Sequence, residues 1–295
     1  SLAAGSVRFT DAYAACPVCS PTRASIMTGK YPARTGNTDY FGAPQPDEVH
    51  RHKTRDKQLL PAPYSENLAL EEVTLAEALK QAGYKTFFAG KWHLGQTEQY
   101  WPENQGFDIN KGGYAAGSPW EGYFSPWDNP RLEDGPKGEH LPDRLAGETV
   151  RFIRDNKDGP FLAYLSFYSV HTPLQSREDL KEKYIQKKQR LDLEVDWIME
   201  GDCKVRAVQE HAVYAGMVEA MDQAVGRVLD TLKDLDLDEN TAIFFMSDNG
   251  GLSTSEGTPT SNLPLRCGKG WLYEGGIRVP MMIRRPGVTD GGGVC

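Results

Sequence analysis

Four short apolar runs, at residues 85–89, 160–168, 241–246 and 280–284, limit what this chain can fold into. Each is dense in Phe, Ile, Leu, Met or Tyr, is too short for a buried helix, and adjoins a polar motif carrying Gly or Pro, so each reads as a strand. The almost continuous run at 160–168 has the composition of a strand buried on both faces. Between the strands lie helical patterns. Residues 74–82 carry Thr74 as N-cap, Glu77 completing a capping box and Gly83 just past the end. Residues 143–155 form a second pattern. Residues 207–235 form a third, in which Val208, Ala212, Ala215, Val218, Met221, Val225, Val228 and Leu232 make one apolar stripe, the mark of core packing rather than of a cofactor box. Strands alternating with helices predict an α/β fold, a mostly parallel sheet with helices on both faces. With 295 residues, 39% hydrophobic and 25% charged, the chain suits one large domain over residues 1–295. The Lys- and Gln-rich stretch 181–190 reads as a solvated helix face, and 39–65 as an irregular surface loop.

The chemistry-bearing residues sit where these elements meet. Cys19 opens the run Cys-Ser-Pro-Thr-Arg at a turn into a short helix. A side chain in the first helical turn feels the positive end of the dipole and free N–H donors, which favour an anion. Arg23, four residues on, lies on the same face. Cys16 and Cys19 also form Cys-x-x-Cys, a redox pair or half of a zinc site elsewhere, but Cys203, Cys267 and Cys295 stand apart and no second pair exists. Lys91 and His93, bracketed by Gly90 and Gly95 beyond the strand at 85–89, alternate along an extended chain and are expected on one side. His171 follows the strand at 160–168 just before Thr172-Pro173, at the strand end where open α/β sheets bind ligands. Asp248 and Asn249, ahead of Gly250-Gly251, offer hard oxygen ligands suited to calcium or magnesium, although Asp-Asn-Gly is equally an ordinary turn.

The Cys-Ser-Pro-Thr-Arg run, Gly90-Lys91-Trp92-His93-Leu94-Gly95, His171-Thr172-Pro173, Ser247-Asp248-Asn249-Gly250-Gly251 and the block Gly268-Lys269-Gly270 with Glu274-Gly275-Gly276 together resemble the type I sulfatases, in family order and across almost the whole chain. The resemblance implies an alkaline-phosphatase-like fold and hydrolysis of a sulfate monoester. It implies that a maturation enzyme oxidises Cys19 to Cα-formylglycine, whose hydrate attacks sulfur to give a covalent sulfo-enzyme. On the same basis Asp248 and Asn249 hold calcium, or magnesium in its place, and Arg23 supports the nucleophile. Lys91 and Lys269 bind sulfate, His171, alone or with Lys269, protonates the leaving oxygen, and His93 helps expel sulfate. Glu274 and Arg278 are read as structural. A phosphate or phosphonate ester hydrolase of the same superfamily is the alternative within enzymes, and an inactive truncated anion-binding fragment the alternative outside them.

The chain departs from the family pattern at both ends. Ser1 stands shortly before Cys19, so the family's first strand with its two calcium-binding aspartates is expected to be missing, as is the C-terminal antiparallel subdomain after Cys295. A half-built metal site, a gap in the sheet and a chain that is not by itself a competent enzyme are the expectations. A net charge of −8 argues against nucleic-acid partners, so an anionic substrate must be drawn by a local cluster of Arg23, Lys91, Lys269, His93 and His171. No apolar run reaches membrane-span length and no signal peptide is visible. The family implies a periplasmic, secreted or otherwise extracytoplasmic location. Tyr114, Trp120, Tyr123, Phe124 and Trp127 either stack on sugar rings, favouring a sulfated carbohydrate over a simple aryl sulfate, or pack a long loop.

Overall fold

Phe87 and Phe88, neighbours on strand β2 (Lys85–Gly90), belong to two different cores, because successive side chains of a strand leave opposite faces. The computed structural model describes residues 1–48, 58–201, 203–289 and 291–295. Strand β2 lies between β3 (Ile109–Lys111) and β4 (Phe161–Ser166), parallel to both, with Lys85 opposite Phe161 and Gly90 opposite Ser166. On one face, helix α4 (Leu141–Asp155) packs against β2 and β4, and Phe87 stacks on Phe152 at 4.6 Å between ring centroids. Helix α6 (Ala212–Asp234) covers α4, adding Met217 and Leu232 to that core, and α5 (Glu178–Arg190) lies against α6. On the other face, α1 (Cys19–Thr28), followed by the one-turn α2 (Pro32–Thr35), and α3 (Leu75–Gln81) contribute Ala24, Met27 and Ala76, which pack with Phe88, Trp92 and Phe107.

The helix ends follow local chemistry. Thr74 caps α3 by accepting from the Glu77 N–H at 3.1 Å while Glu77 accepts from the Thr74 N–H at 2.8 Å, the reciprocal box expected from sequence. The long helix begins at Ala212 rather than 207, because the His211 ring accepts the Tyr214 N–H at 3.2 Å and residues before it form a hairpin, β5 (Trp197–Glu200) with β6 (Cys203–Arg206). The Lys-rich stretch is helical, extends back to Glu178 and buries only Leu180.

The remaining strands make a second sheet in the order β1 (Val7–Phe9), β8 (Met281–Arg284), β7 (Ile243–Met246), antiparallel throughout. The expected parallel arrangement therefore holds for β2, β3 and β4 but not for β8. A parallel return needs a crossover, usually a full helix, and between β7 and β8 the only helices are as short as α7 (Glu274–Ile277). Strands β4 and β7 each end their sheet, and among the described residues no strand bonds to their outer side. Phe161–Leu165 is accordingly half-buried rather than buried on both faces, and Phe244 on β7 is 66% exposed. The described part of 39–65 holds no helix or strand; its residues 49–57 lie outside the described residues.

Candidate active site

The guanidinium of Arg23 draws four parts of the fold together at the C-terminal ends of the strands. Its Nε donates to Asp248 Oδ2 at 2.9 Å, and its Nη1 donates to the Lys91 carbonyl at 2.6 Å and to Ser166 Oγ at 2.9 Å. Helix α1, the residues just past β2, the last residue of β4 and the residues just past β7 thus meet at one planar cation. Ser166 Oγ also donates to the Lys91 carbonyl at 2.8 Å. Burial opposes both charges of the Arg23–Asp248 pair, yet each outweighs it for the other: the Asp248 carboxyl is held well below the usual carboxylate range by Arg23 and then Lys91, and Arg23 is held above its ordinary value by Asp248. Cys19, 4% exposed, opens α1 one turn before Arg23, behind the extended Val18, as the run at 19–23 predicted. It is not disulfide-bonded to Cys16.

Gly90 makes the approach of β2 to β4 possible. Its φ is 103°, and a Cβ there would stand 1.9 Å from the Ser166 carbonyl oxygen, the acceptor of the Lys91 N–H at 2.8 Å. Lys91 is 3% exposed, and its ammonium makes no hydrogen bond or ion pair among the described residues. Most of the side chain is buried, and the nearby Asp248 carboxylate is already paired with Arg23, so the Lys91 ammonium keeps its donors for an arriving anion.

His93 is not on an extended chain with Lys91, as the alternation predicted; its φ is 56°, which turns the ring toward α1. Nε2 faces the Phe41 carbonyl at 3.1 Å and therefore carries the hydrogen, while Nδ1 lies 3.4 Å from Ser20 Oγ and accepts. Burial, then Lys91 and Arg23, push its pKa well below the ordinary value, so the ring is neutral with a bare Nδ1. Gly117 backs it, since a Cβ there would come within 2.5 Å of the ring.

A second cluster forms beside the first. Lys269 Nζ lies 3.0 Å from His171 Nε2 and 2.6 Å from Glu256 Oε1, and His171 Nε2 is 3.3 Å from Glu256 Oε2. Burial, then Lys91 and Lys269, lower the His171 pKa to about 4 against the opposing pull of Glu256. Lys91 and Lys269 also act on Asp248, so the two clusters share one field.

Asp248 and Asn249 sit together after β7 as a candidate cation site. The buried Asn249 Oδ1 has no hydrogen-bond partner, and beside the Asp248 carboxylate it gives two hard oxygen donors, which fits calcium or magnesium as part of a ligand set. Among the described residues no three His, Cys, Asp or Glu side chains gather to hold a metal.

Glu274 and Arg278 bind the N-terminal segment: Tyr13 donates to Glu274 at 3.0 Å, and Arg278 donates to the Thr10 carbonyl at 2.7 Å. Of the aromatic residues at 114–127, Tyr114, Tyr123 and Trp127 are buried in the core beside a half-buried Phe124; only Trp120, at 69%, is exposed. Ser20, Ser166, Glu256 and the Phe41 carbonyl are site groups that sequence reasoning missed. Ser20 in α1 and Ser166 at the end of β4 are small polar residues that carry no signal of their own, Glu256 lies in a loop, and Phe41 acts through its backbone.

The Sulfatase family model matches residues 1–291. A protein named Sulfatase from Formosa agariphila is 34% identical over 327 residues, covering 92% of this chain and 54% of that protein. N-acetylgalactosamine-6-sulfatase of Homo sapiens is 30% identical over 320 residues, covering 99% of this chain and 52% of the relative. The crystal structure of Ps i-CgsB in complex with k-i-k-neocarrahexaose matches with a TM-score of 0.74 at 30% identity, over 99% of this chain and 61% of that one. The chain spans about half the length of the curated relatives it matches.

Proposed function

The chain belongs to the sulfatase family, and from that premise we propose that the whole protein hydrolyses a sulfate monoester on a carbohydrate, with position 19 as the source of its nucleophile. Its fold is the α/β, alkaline-phosphatase-like fold of the solved relatives. The observation that carries the reading is the Lys91 ammonium, which makes no hydrogen bond or ion pair among the described residues, beside Arg23, His171 and Lys269 at the strand ends. A sugar is the proposed substrate because one relative is an N-acetylgalactosamine-6-sulfatase and another was solved with a neocarrahexaose.

Oxidised by a maturation enzyme to formylglycine, residue 19 supplies a hydrated aldehyde, a hydroxyl nucleophile that can afterwards release sulfate from a covalent sulfo-enzyme by returning to the aldehyde. The N-terminus of α1 and Arg23 favour an oxyanion at that position. Lys91 and Lys269 offset charge on the sulfuryl oxygens as it redistributes. His171 delivers a proton from Nε2 to the departing alcohol oxygen, and neutral His93 receives one at Nδ1. Asp248 and Asn249 would hold calcium as part of its ligand set, and the ion would add positive charge beside the nucleophile and the sulfuryl oxygens. An extracytoplasmic location belongs to the same proposal; no helix among the described residues is long and apolar enough to cross a membrane.

The test uses the full-length matured protein against sulfated mono- and oligosaccharides beside an aryl sulfate, with intact mass reporting conversion of the Cys19 side chain to an aldehyde. Sulfate release from a sulfated sugar, abolished in folded Cys19→Ala, is the expected result. Turnover by Cys19→Ala within about tenfold of wild type would overturn the nucleophile assignment.

A further inference from the structure

We propose that Glu256 is a positioning residue for the leaving-group side of the cleft: its carboxylate binds the Lys269 ammonium and the His171 ring together, so that Nε2 of His171 holds the proton passed to the departing oxygen. The inference rests on the sulfate-ester reading above for the destination of that proton.

The geometry of the ring decides its protonation states. His171 Nδ1 lies 2.9 Å from the Thr172 carbonyl, an acceptor only, so Nδ1 carries a hydrogen in either charge state. The neutral ring therefore has a bare Nε2, which accepts from Lys269 Nζ at 3.0 Å. A second proton at Nε2 makes an imidazolium whose new N–H faces Glu256 Oε2 at 3.3 Å. Glu256 Oε1 meanwhile keeps Lys269 at 2.6 Å. Proton delivery starts from that imidazolium, whose second proton is taken up at Nε2 from solvent, because the resting ring is neutral. Nε2–H gives its proton to the ester oxygen as the S–O bond breaks, the electron pair of that bond stays with the alcohol, and the neutral ring that remains is held by Lys269.

Without Glu256 the acid form has little support. Lys91, just past β2, and Lys269, from the turn that follows Gly268, both face His171 with positive charge, and burial works in the same direction. Glu256 and the Thr172 carbonyl oppose them, and Tyr40 faces Glu256 and Lys269 as a neutral phenol. The loop that carries Glu256 also adopts a costly backbone to present it. Glu256, Gly257 and Thr258 have φ values of 52°, 89° and 47°, and two of those three are not glycine. The side chain remains about a third exposed, at the mouth rather than the floor of the site.

Glu256→Gln keeps shape and hydrogen bonding while removing the charge, so it is the informative substitution. The proton affinity of His171 is read by NMR titration of histidine-labelled protein, with the resonance assigned through His171→Ala. Loss of a neighbouring opposite charge should lower that affinity about tenfold or more, and Glu256→Asp should restore part of it. In the matured enzyme, kcat/KM for an alkyl sulfate should fall by a larger factor than for an aryl sulfate with a good leaving group. The basic limb of its pH profile should also move to lower pH, because the acid form is lost sooner. An unchanged His171 titration, or equal losses on both esters with an unmoved profile, overturns the role of Glu256. If matured wild type releases no sulfate from any ester, the function reading fails, and the titration alone decides whether Glu256 supports the proton on His171.

Discussion

Replacing Arg23 with Met should destabilise the fold as well as the site. The substitution keeps the aliphatic bulk and removes three donated hydrogen bonds, at 2.9 Å to Asp248, 2.6 Å to the Lys91 carbonyl and 2.9 Å to Ser166 Oγ. The Lys91 carbonyl keeps the 2.8 Å bond from Ser166, so the loss concentrates on Asp248. Removing one partner of a buried ion pair costs about 3–5 kcal/mol. Here the Asp248 side chain is 21% exposed, so water meets part of the orphaned charge. The lower end applies, and with the neutral acceptors the total is about 3–4 kcal/mol. That is a large share of the roughly 5–15 kcal/mol that holds a domain folded. Urea midpoints in chelator-treated buffer, followed by both circular dichroism and tryptophan fluorescence, measure it. A double-mutant cycle with Asp248→Asn should return about 2 kcal/mol, because the second change removes the stranded charge. Since Arg23 depresses the Asp248 pKa, the pair's contribution is full above the ordinary carboxylate range and fades only as pH falls through the depressed value, so the gap between wild type and Arg23→Met should close only in acid. A cost under about 1 kcal/mol, or an additive cycle, would refute the view of Arg23 as the shared anchor.

Other substitutions test separate parts of the argument. Asp108, whose carboxyl is pulled down to about 2 against burial by Lys80 and the Thr86 N–H, should lose about 1–2 kcal/mol in Asp108→Asn at neutral pH, discounted because Lys80 is half exposed. That difference should vanish between about pH 4, the unfolded value, and pH 2, as read from urea midpoints across pH. Gly90→Ala should cost about 3 kcal/mol or more, or prevent folding, through its positive φ and the Ser166 carbonyl 1.9 Å from the added methyl; near-wild-type thermal stability would contradict it. Thr74→Ala should cost about 1–2 kcal/mol, since Thr74 Oγ1 caps α3 and also donates to the Gln105 carbonyl at 2.8 Å, and a melting temperature within error of wild type would argue against both bonds.

What the sequence made legible was what local chemistry decides. The capping box at Thr74, the start of α1 at Cys19 and the apolar strand at 85–89 each depend on residues a few positions apart, and each is present in the structure. The path from β7 to β8 was harder to read, because a strand's direction depends on how its connection returns rather than on its composition. The same limit applies to the site. Arg23 and Asp248 are 225 positions apart, and only the topology says that they meet. Glu256 stands in Ser-Glu-Gly-Thr, which reads as an ordinary turn, and nothing local marks its carboxylate as the partner of a lysine and a histidine brought in from elsewhere.

Several departures from local rules lie close to the strand ends. The Lys91 ammonium makes no hydrogen bond or ion pair among the described residues, the buried Asn249 amide oxygen has no donor, and His93, Glu256 and Cys267 hold left-handed backbones. Each costs free energy, the backbones about 1–3 kcal/mol apiece. The surroundings can sustain that cost because Phe87, Phe88 and their partners bury β2 on both faces just before the chain reaches Lys91. Arg23 reconciles the two demands, for its charge is satisfied by Asp248 while its remaining donors bind the chain at Lys91 and Ser166. It joins the strand ends without consuming Lys91, whose ammonium is left for an anion. A cluster of cations neutralised entirely by carboxylates would be more stable and would leave no cation for an anionic ligand, so the incomplete pairing is the property that the proposed binding of a sulfate ester would use.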